Sequence, residues 1–81
     1  AGARTGRVLV ETRNRPSALS ALTDAVAKQD GVVTGVKVLH RDEASCEVAL
    51  DIEGADLRHL ERIMATLRAP VENLRVERAR G

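Results

Sequence analysis

Polar and apolar residues alternate from Arg7 to Arg13, with Val8, Val10 and Thr12 on one side, so residues 7–13 predict a half-buried strand. The spacing then changes. Leu19, Leu22 and Val26 recur at intervals of three and four, which predicts a helix over 16–29 that stops at Asp30-Gly31, where Gly31 can take the left-handed conformation that closes a helix. Residues 32–41, Val-Val-Thr-Gly-Val-Lys-Val-Leu-His-Arg, are rich in β-branched side chains and read as a second strand. Asp42-Glu43-Ala44 reads as a short polar turn. Residues 45–53 then give the cleanest alternation, with Cys46, Val48, Leu50 and Ile52 facing one way and Glu47, Ala49, Asp51 and Glu53 the other. Gly54-Ala55 interrupts that strand, and Asp56 suits the N-cap of a second helix over 57–68. Leu57, Leu60, Ile63, Met64 and Leu67 form its apolar stripe. Pro70 follows the helix end, and residues 71–78 read as a last strand with Leu74 and Val76 inward.

The element order is thus β-α-β-β-α-β. Two right-handed split βαβ units interlock into the ferredoxin-like α+β sandwich: a four-stranded antiparallel sheet in the order 4-1-3-2, with both helices on one face. Residues 1–6, Ala-Gly-Ala-Arg-Thr-Gly, carry no pattern and read as a leader or linker before a single domain spanning 7–80. The chain has no initiator Met and reads as a piece of a longer protein. A domain this small buries only about 60% of its unfolded surface, so association with a second copy or with neighbouring domains is expected.

Composition removes several functions that this fold can host. Thirteen basic and twelve acidic side chains are interleaved, for a net charge of +1, so no field strong enough to gather nucleic acid or an anionic membrane arises. The arginines at 75, 78 and 80 sit among Glu72 and Glu77 and read as a solvated face. The chain contains no Phe, Tyr or Trp, and RNA-recognition modules of this shape stack bases on such rings. Metal chaperones of the same shape need paired cysteines, but Cys46 is alone and its phase places it in the core. His40 and His59 are far apart without partner ligands, so no metal site is expected. No nucleophile stands beside a base, so the fragment is expected to be non-catalytic and to need no cofactor. No signal peptide, membrane span or lipidation motif is visible, and one cysteine gives no internal disulfide; the expected location is the cytoplasm.

The candidate chemistry sits in Asn14-Arg15-Pro16-Ser17-Ala18-Leu19, where the first strand turns directly into the first helix. A helix start leaves unpaired N–H groups beside a polar loop, which suits a small anion such as an amino-acid carboxylate. Pro16 fits the first helical turn, where its missing N–H is no loss. The N–H groups near Ser17, Ala18 and Leu19 would meet the carboxylate, and the Asn14 side-chain oxygen with second-strand carbonyls would take the ammonium. Leu19 with Val33 would form an aliphatic lining that favours a branched side chain. Thr34 joins the candidate site, although Thr34-Gly35 reads more readily as a bulge or a close backbone approach. The turn itself equally reads as an ordinary strand-to-helix connection with no ligand.

The element order, the Asn-Arg-Pro-Ser-Ala-Leu turn and the Gly-Val-Val-Thr-Gly start of the second strand together resemble an ACT domain. Asp56-Leu57-Arg58-His59-Leu60-Glu61-Arg62-Ile63, Leu67-Arg68-Ala69-Pro70-Val71 and the closing Val76-Glu77-Arg78 are similar to the extreme C-terminus of RelA/SpoT-type bifunctional (p)ppGpp synthetase/hydrolases. The family commonly carries Gly after the Pro of the first turn; here Ser17 either offers a hydroxyl to a ligand or crowds its approach. The resemblance implies a non-catalytic regulatory domain in a stringent-response enzyme. It would sense an amino acid, valine or isoleucine foremost, and signal to catalytic domains elsewhere in the polypeptide. It also implies a homodimer in which residues 32–38 of two copies meet edge to edge, with ligand between the first turn and the partner. The alternative is a dimerisation module, or one contacting ribosome or tRNA, without a small-molecule ligand.

Overall fold

The computed structural model describes residues 5–53 and 56–79. Six elements follow one another: β1 Thr5–Arg13, α1 Ala18–Lys28, β2 Val32–Arg41, β3 Ser45–Glu53, α2 Leu57–Arg68 and β4 Asn73–Arg78. The strands form one antiparallel sheet in the order β2-β3-β1-β4, which is the expected 4-1-3-2 arrangement read from the other edge. β1 begins at Thr5 rather than Arg7, because Thr5 and Gly6 continue the ladder opposite Glu53 and Ile52. Residues 1–4, the Gly54-Ala55 interruption and Arg80 lie outside the described residues.

The core lies between the sheet and the helix pair. Val8 and Val10 from β1, Val48, Leu50 and Ile52 from β3, and Leu22, Val26, Ile63 and Leu67 from the helices are buried almost completely. Cys46, Leu60, Met64 and Val76 close its margins. Aliphatic side chains fill its centre, so its packing rests largely on shape complementarity of Val, Leu and Ile. The polar face of β3 is less wet than its alternation predicts, since Ala49 is buried opposite Leu9 on that side. Arg7 and Asp51 pair across the same face at 2.8 Å, and this lowers the Asp51 carboxyl pKa, chiefly through the guanidinium hydrogen bond.

Several local readings change for identifiable reasons. Asp56 caps α2 as expected, its Oδ1 accepting the His59 N–H at 2.8 Å. Leu57, the first residue of α2, is exposed. On β4 the inward partner of Thr12 is Asn73, not Leu74. The ladder steps from Glu11–Arg75 to Thr12–Asn73, so Leu74 is the extra residue of a bulge and points to solvent. Asn73 then donates to the Leu67 carbonyl at 2.6 Å and accepts from the Thr12 hydroxyl at 2.7 Å, closing the end of α2 with a polar pair.

The end of α1 also differs. Asp30, not Gly31, carries the left-handed backbone, with φ of 60°. Its N–H bonds the Ala27 carbonyl and the Gly31 N–H bonds that of Val26, the paired pattern of a Schellman closure. Gly31 is needed for space. A Cβ there would stand 2.6 Å from Val26 Cγ1 and 2.9 Å from Ile63 Cδ1. His59 donates from Nε2 to the Gln29 carbonyl and so ties the start of α2 to the end of α1.

Candidate functional site

Three chain reversals gather at one end of the sheet: the β1–α1 turn, the β2–β3 turn and the α2–β4 connection. The β1–α1 turn is built as a reverse turn before the helix. The Ala18 N–H bonds the Arg15 carbonyl at 3.1 Å, with Pro16 in the second position, which its fixed φ suits. The helix therefore starts at Ala18, two residues later than the sequence pattern indicates. One of the three N–H groups anticipated for a ligand is already engaged. Ser17 occupies the cap position without a side-chain capping bond.

Asn14 clasps this turn to the next. Its backbone N–H bonds the Ala44 carbonyl at 3.2 Å and its side-chain Nδ2 donates to the Asp42 carbonyl at 2.8 Å. Neither bond uses its amide oxygen. The β2–β3 turn is itself fixed by Asp42, whose Oδ1 accepts the N–H groups of Ala44 and Ser45, each at 2.9 Å. Those backbone bonds are the main reason its carboxyl pKa lies below 3.8, with His40 at 3.4 Å adding to the effect.

Between the two turns lies an open hollow of about 470 Å³, lined by Asn14, Arg15, Pro16, Ala18, Leu19, Val38, Arg41 and Cys46. The structure thus brings together five of the eight residues anticipated from sequence. Ser17 lies in the same turn but not in the lining. Val33 and Thr34 belong to the opposite end of β2, roughly 25 Å along the strand from Arg41. There Val33 packs against the core beside Ile52, and Thr34 donates its hydroxyl to the Asp51 carbonyl at 3.4 Å. Within one chain the aliphatic wall is therefore Leu19 with Val38. Leu19, read as part of the helix stripe, is 40% exposed and faces the hollow instead of the core.

Three lining residues had no functional signal in the sequence: Val38, Arg41 and Cys46. Cys46 was placed in the core by its phase, and it is buried as expected, at the hollow's floor. Val38 and Arg41 depend on bulges in β2. The ladder passes from Val33–Ile52 to Gly35–Asp51, and from Val38–Val48 to His40–Glu47, so Thr34 and Leu39 are extra residues. The reading of Thr34-Gly35 as a bulge with close approach matches this. A Gly35 Cβ would meet Asp51 Oδ2 at 3.0 Å.

A second, polar hollow of about 330 Å³ lies between Gln29-Asp30 and Asp56, His59 and Arg62. Its Asp56 and His59 are occupied in capping α2 and joining the helices. Among the described residues no cluster of three metal-ligating side chains occurs, and no helix is long and apolar enough to cross a membrane.

Comparison with known proteins agrees with this fold. No curated protein matches the sequence. The solution structure of the ACT domain from the GTP pyrophosphokinase of Chlorobium tepidum is similar with a TM-score of 0.79 at 15% identity, covering 98% of this chain and 89% of that one. The crystal structure of that domain gives 0.78 at 16%, covering 95% and 99%. The C-terminal domain of the MgtC protein from Mycobacterium tuberculosis gives 0.75 at 19%, covering 99% and 89%. At these identities the likeness establishes the fold. The family assignment rests on the sequence: the ACT domain family model matches residues 2–78, and the chain belongs to the ACT domain family.

Proposed function

We propose that this domain is the regulatory module of a (p)ppGpp synthetase/hydrolase and senses an aliphatic amino acid in the hollow between the β1–α1 and β2–β3 turns. The observation that carries the reading is the hollow itself, which joins an aliphatic wall (Leu19 and Val38) to polar groups on Asn14, Arg15 and Arg41. Its walls carry no acidic side chain, so a branched chain such as that of valine or isoleucine fits better than a basic one. The choice of parent enzyme is favoured by the Asp56–Ile63 and Leu67–Val71 segments and by the likeness to the Chlorobium tepidum domain. In this reading the domain's effect on synthesis or hydrolysis is exerted on other domains of the polypeptide, in the cytoplasm.

Self-association belongs to this reading. β2 is an edge strand that exposes Val32, Val36, Val38 and Leu39, and such an edge invites pairing. Between its two bulges the edge is regular over Gly35–Val38, which gives antiparallel pairing a centre. A second copy paired about that centre would bring its own Thr34 and Val33 alongside Leu39 and His40. The complete site would then combine both chains. The same edge is what favours the second reading, a dimerisation or ribosome- or tRNA-contacting module with an empty hollow.

A chemical-shift titration of the domain with valine and isoleucine, beside calorimetry, tests the proposal. Saturable shifts confined to Asn14–Leu19, Val38 and Arg41, lost in Asn14→Ala while the fold persists, support sensing. Absence of binding with the dimer formed would leave the interaction module.

A further inference from the structure

The hollow contains two guanidinium groups, Arg15 and Arg41, and no carboxylate among its lining residues. Neither arginine enters an ion pair among the described residues; the pairs recorded there are Arg7–Asp51, His40–Asp42, Arg75–Glu47 and Arg75–Glu77. The nearest acid in sequence, Asp42, is committed to the Ala44 and Ser45 N–H groups.

Arg41 reaches the hollow only because of the bulge at Leu39. Val38 pairs with Val48 and faces the helix layer. Strict alternation would put His40 on that side and send Arg41 to the opposite face. The extra residue inverts the phase, so that Arg41 pairs with Cys46 on the helix side and His40 pairs with the outward Glu47. A side chain that alternation would have turned to the solvated face is thereby aimed at the Pro16–Leu19 turn. The helix start, by contrast, has already given its Ala18 N–H to the Arg15 carbonyl.

We propose that the Leu39 bulge places Arg41 to receive the carboxylate of the ligand, so that the site recognises small aliphatic carboxylates and does not require their ammonium group. This rests on the hollow being the ligand site. A guanidinium offers a carboxylate two parallel N–H donors at once, a match that single backbone N–H groups lack. The ammonium, facing two cations and only the Asn14 oxygen and carbonyls, gains little. The ligand class is therefore set by the carboxylate and the branched chain together.

The experiment titrates the 81-residue domain with three probes of one side-chain shape: valine, its deaminated counterpart 3-methyl-2-oxobutanoate, and isobutylamine, which lacks the carboxylate. Shifts of Ala18, Leu19 and Val38 report occupancy of the hollow. The oxo acid should bind at least as tightly as valine, and the amine should not bind. Arg41→Gln should weaken both carboxylates roughly tenfold or more, while the amide pattern of the sheet stays unchanged. Arg41→Lys, which keeps charge but loses the fork, should fall between. Valine binding that is retained in Arg41→Gln, or valine binding with no response to the oxo acid, would overturn the anchor while leaving amino-acid sensing intact. Failure of both carboxylates to shift the lining residues would overturn the sensing reading as well.

Discussion

Replacing Gly31 by alanine separates two accounts of the same residue. A left-handed closing position would tolerate Asn nearly as well as Gly, and Ala would be only mildly unfavourable. The structure instead gives the left-handed backbone to Asp30 and packs Gly31 against α2. An added Cβ meets Val26 Cγ1 at 2.6 Å and the Val26 carbonyl oxygen at 3.2 Å. Neither can swing aside, since Val26 is fully buried and χ1-restricted in its helix. Ile63 Cδ1, at 2.9 Å, is the one contact that can yield. Overpacking of this kind costs about 1–3 kcal/mol, a large part of the roughly 3–5 kcal/mol that so small a core supplies. At about 4–8 °C per kcal/mol, the melting temperature of Gly31→Ala should fall by between about 4 and 24 °C. Gly31→Asn should fall further, and Asp30→Gly should melt unchanged or higher. Circular dichroism with chemical denaturation measures all three. In an Ile63→Val background, which deletes the yielding methyl, the penalty of Gly31→Ala should shrink by at least about 0.5 kcal/mol. If Gly31→Asn proves milder than Gly31→Ala, the packing account is wrong and Gly31 is a conformational position after all.

Three further outcomes follow from the core, the edge and the turn. Leu60 packs its Cδ atoms over Gly6, and Leu60→Ala should destabilise by about 2–5 kcal/mol through the cavity it leaves, enough to unfold much of the population in a thermal melt. Val36→Lys, on the regular stretch of the β2 edge, should weaken self-association in sedimentation without changing the monomer's melting; a wild-type chain still monomeric at millimolar concentration would refute self-pairing. Asp42 has a folded-state pKa below its unfolded value of 3.8, so the stability it gives the β2–β3 turn is fully present well above that value and is lost as pH falls through the folded one. Amide exchange at Ala44 and Ser45 should therefore lose protection below about pH 4 before the core amides do, and Asp42→Asn should weaken that dependence.

The element order and the buried faces were legible because the periods are clean. Cys46, Val48, Leu50 and Ile52 alternate without interruption, and Leu60, Ile63, Met64 and Leu67 recur at helical spacing, so the sandwich could be written down from the sequence and is observed. Several readings that failed stand where a local pattern shifts by one residue or admits two accounts. Leu74 turns outward and Asn73 inward because β4 carries an extra residue opposite the Glu11–Thr12 step. The left-handed residue is Asp30 and not Gly31, because a glycine can be kept for its missing Cβ as readily as for its backbone freedom.

The candidate site shows the same division with more at stake. Its first half is contiguous in sequence, and Asn14–Leu19 announced itself as a polar turn between two periodic segments. Its second half arrives through the fold. Val38, Arg41 and Cys46 meet the turn only because the antiparallel β2 and β3 turn into one another where β1 ends, and Arg41 faces inward only because Leu39 breaks the alternation. A one-residue bulge, invisible to periodicity, decides whether the hollow is an aliphatic dent or a cationic one. It also explains how such a site could signal. The hollow touches the β1–α1 turn, β2 and β3 together, and Asn14 bonds the turns on either side of it into one unit. A ligand held between Leu19 and Arg41 would therefore bear directly on β2, the strand that forms the sheet's exposed edge. Whatever pairs with that edge in one geometry more than another would change the ligand's affinity by the same factor that the ligand changes the pairing, and by no more.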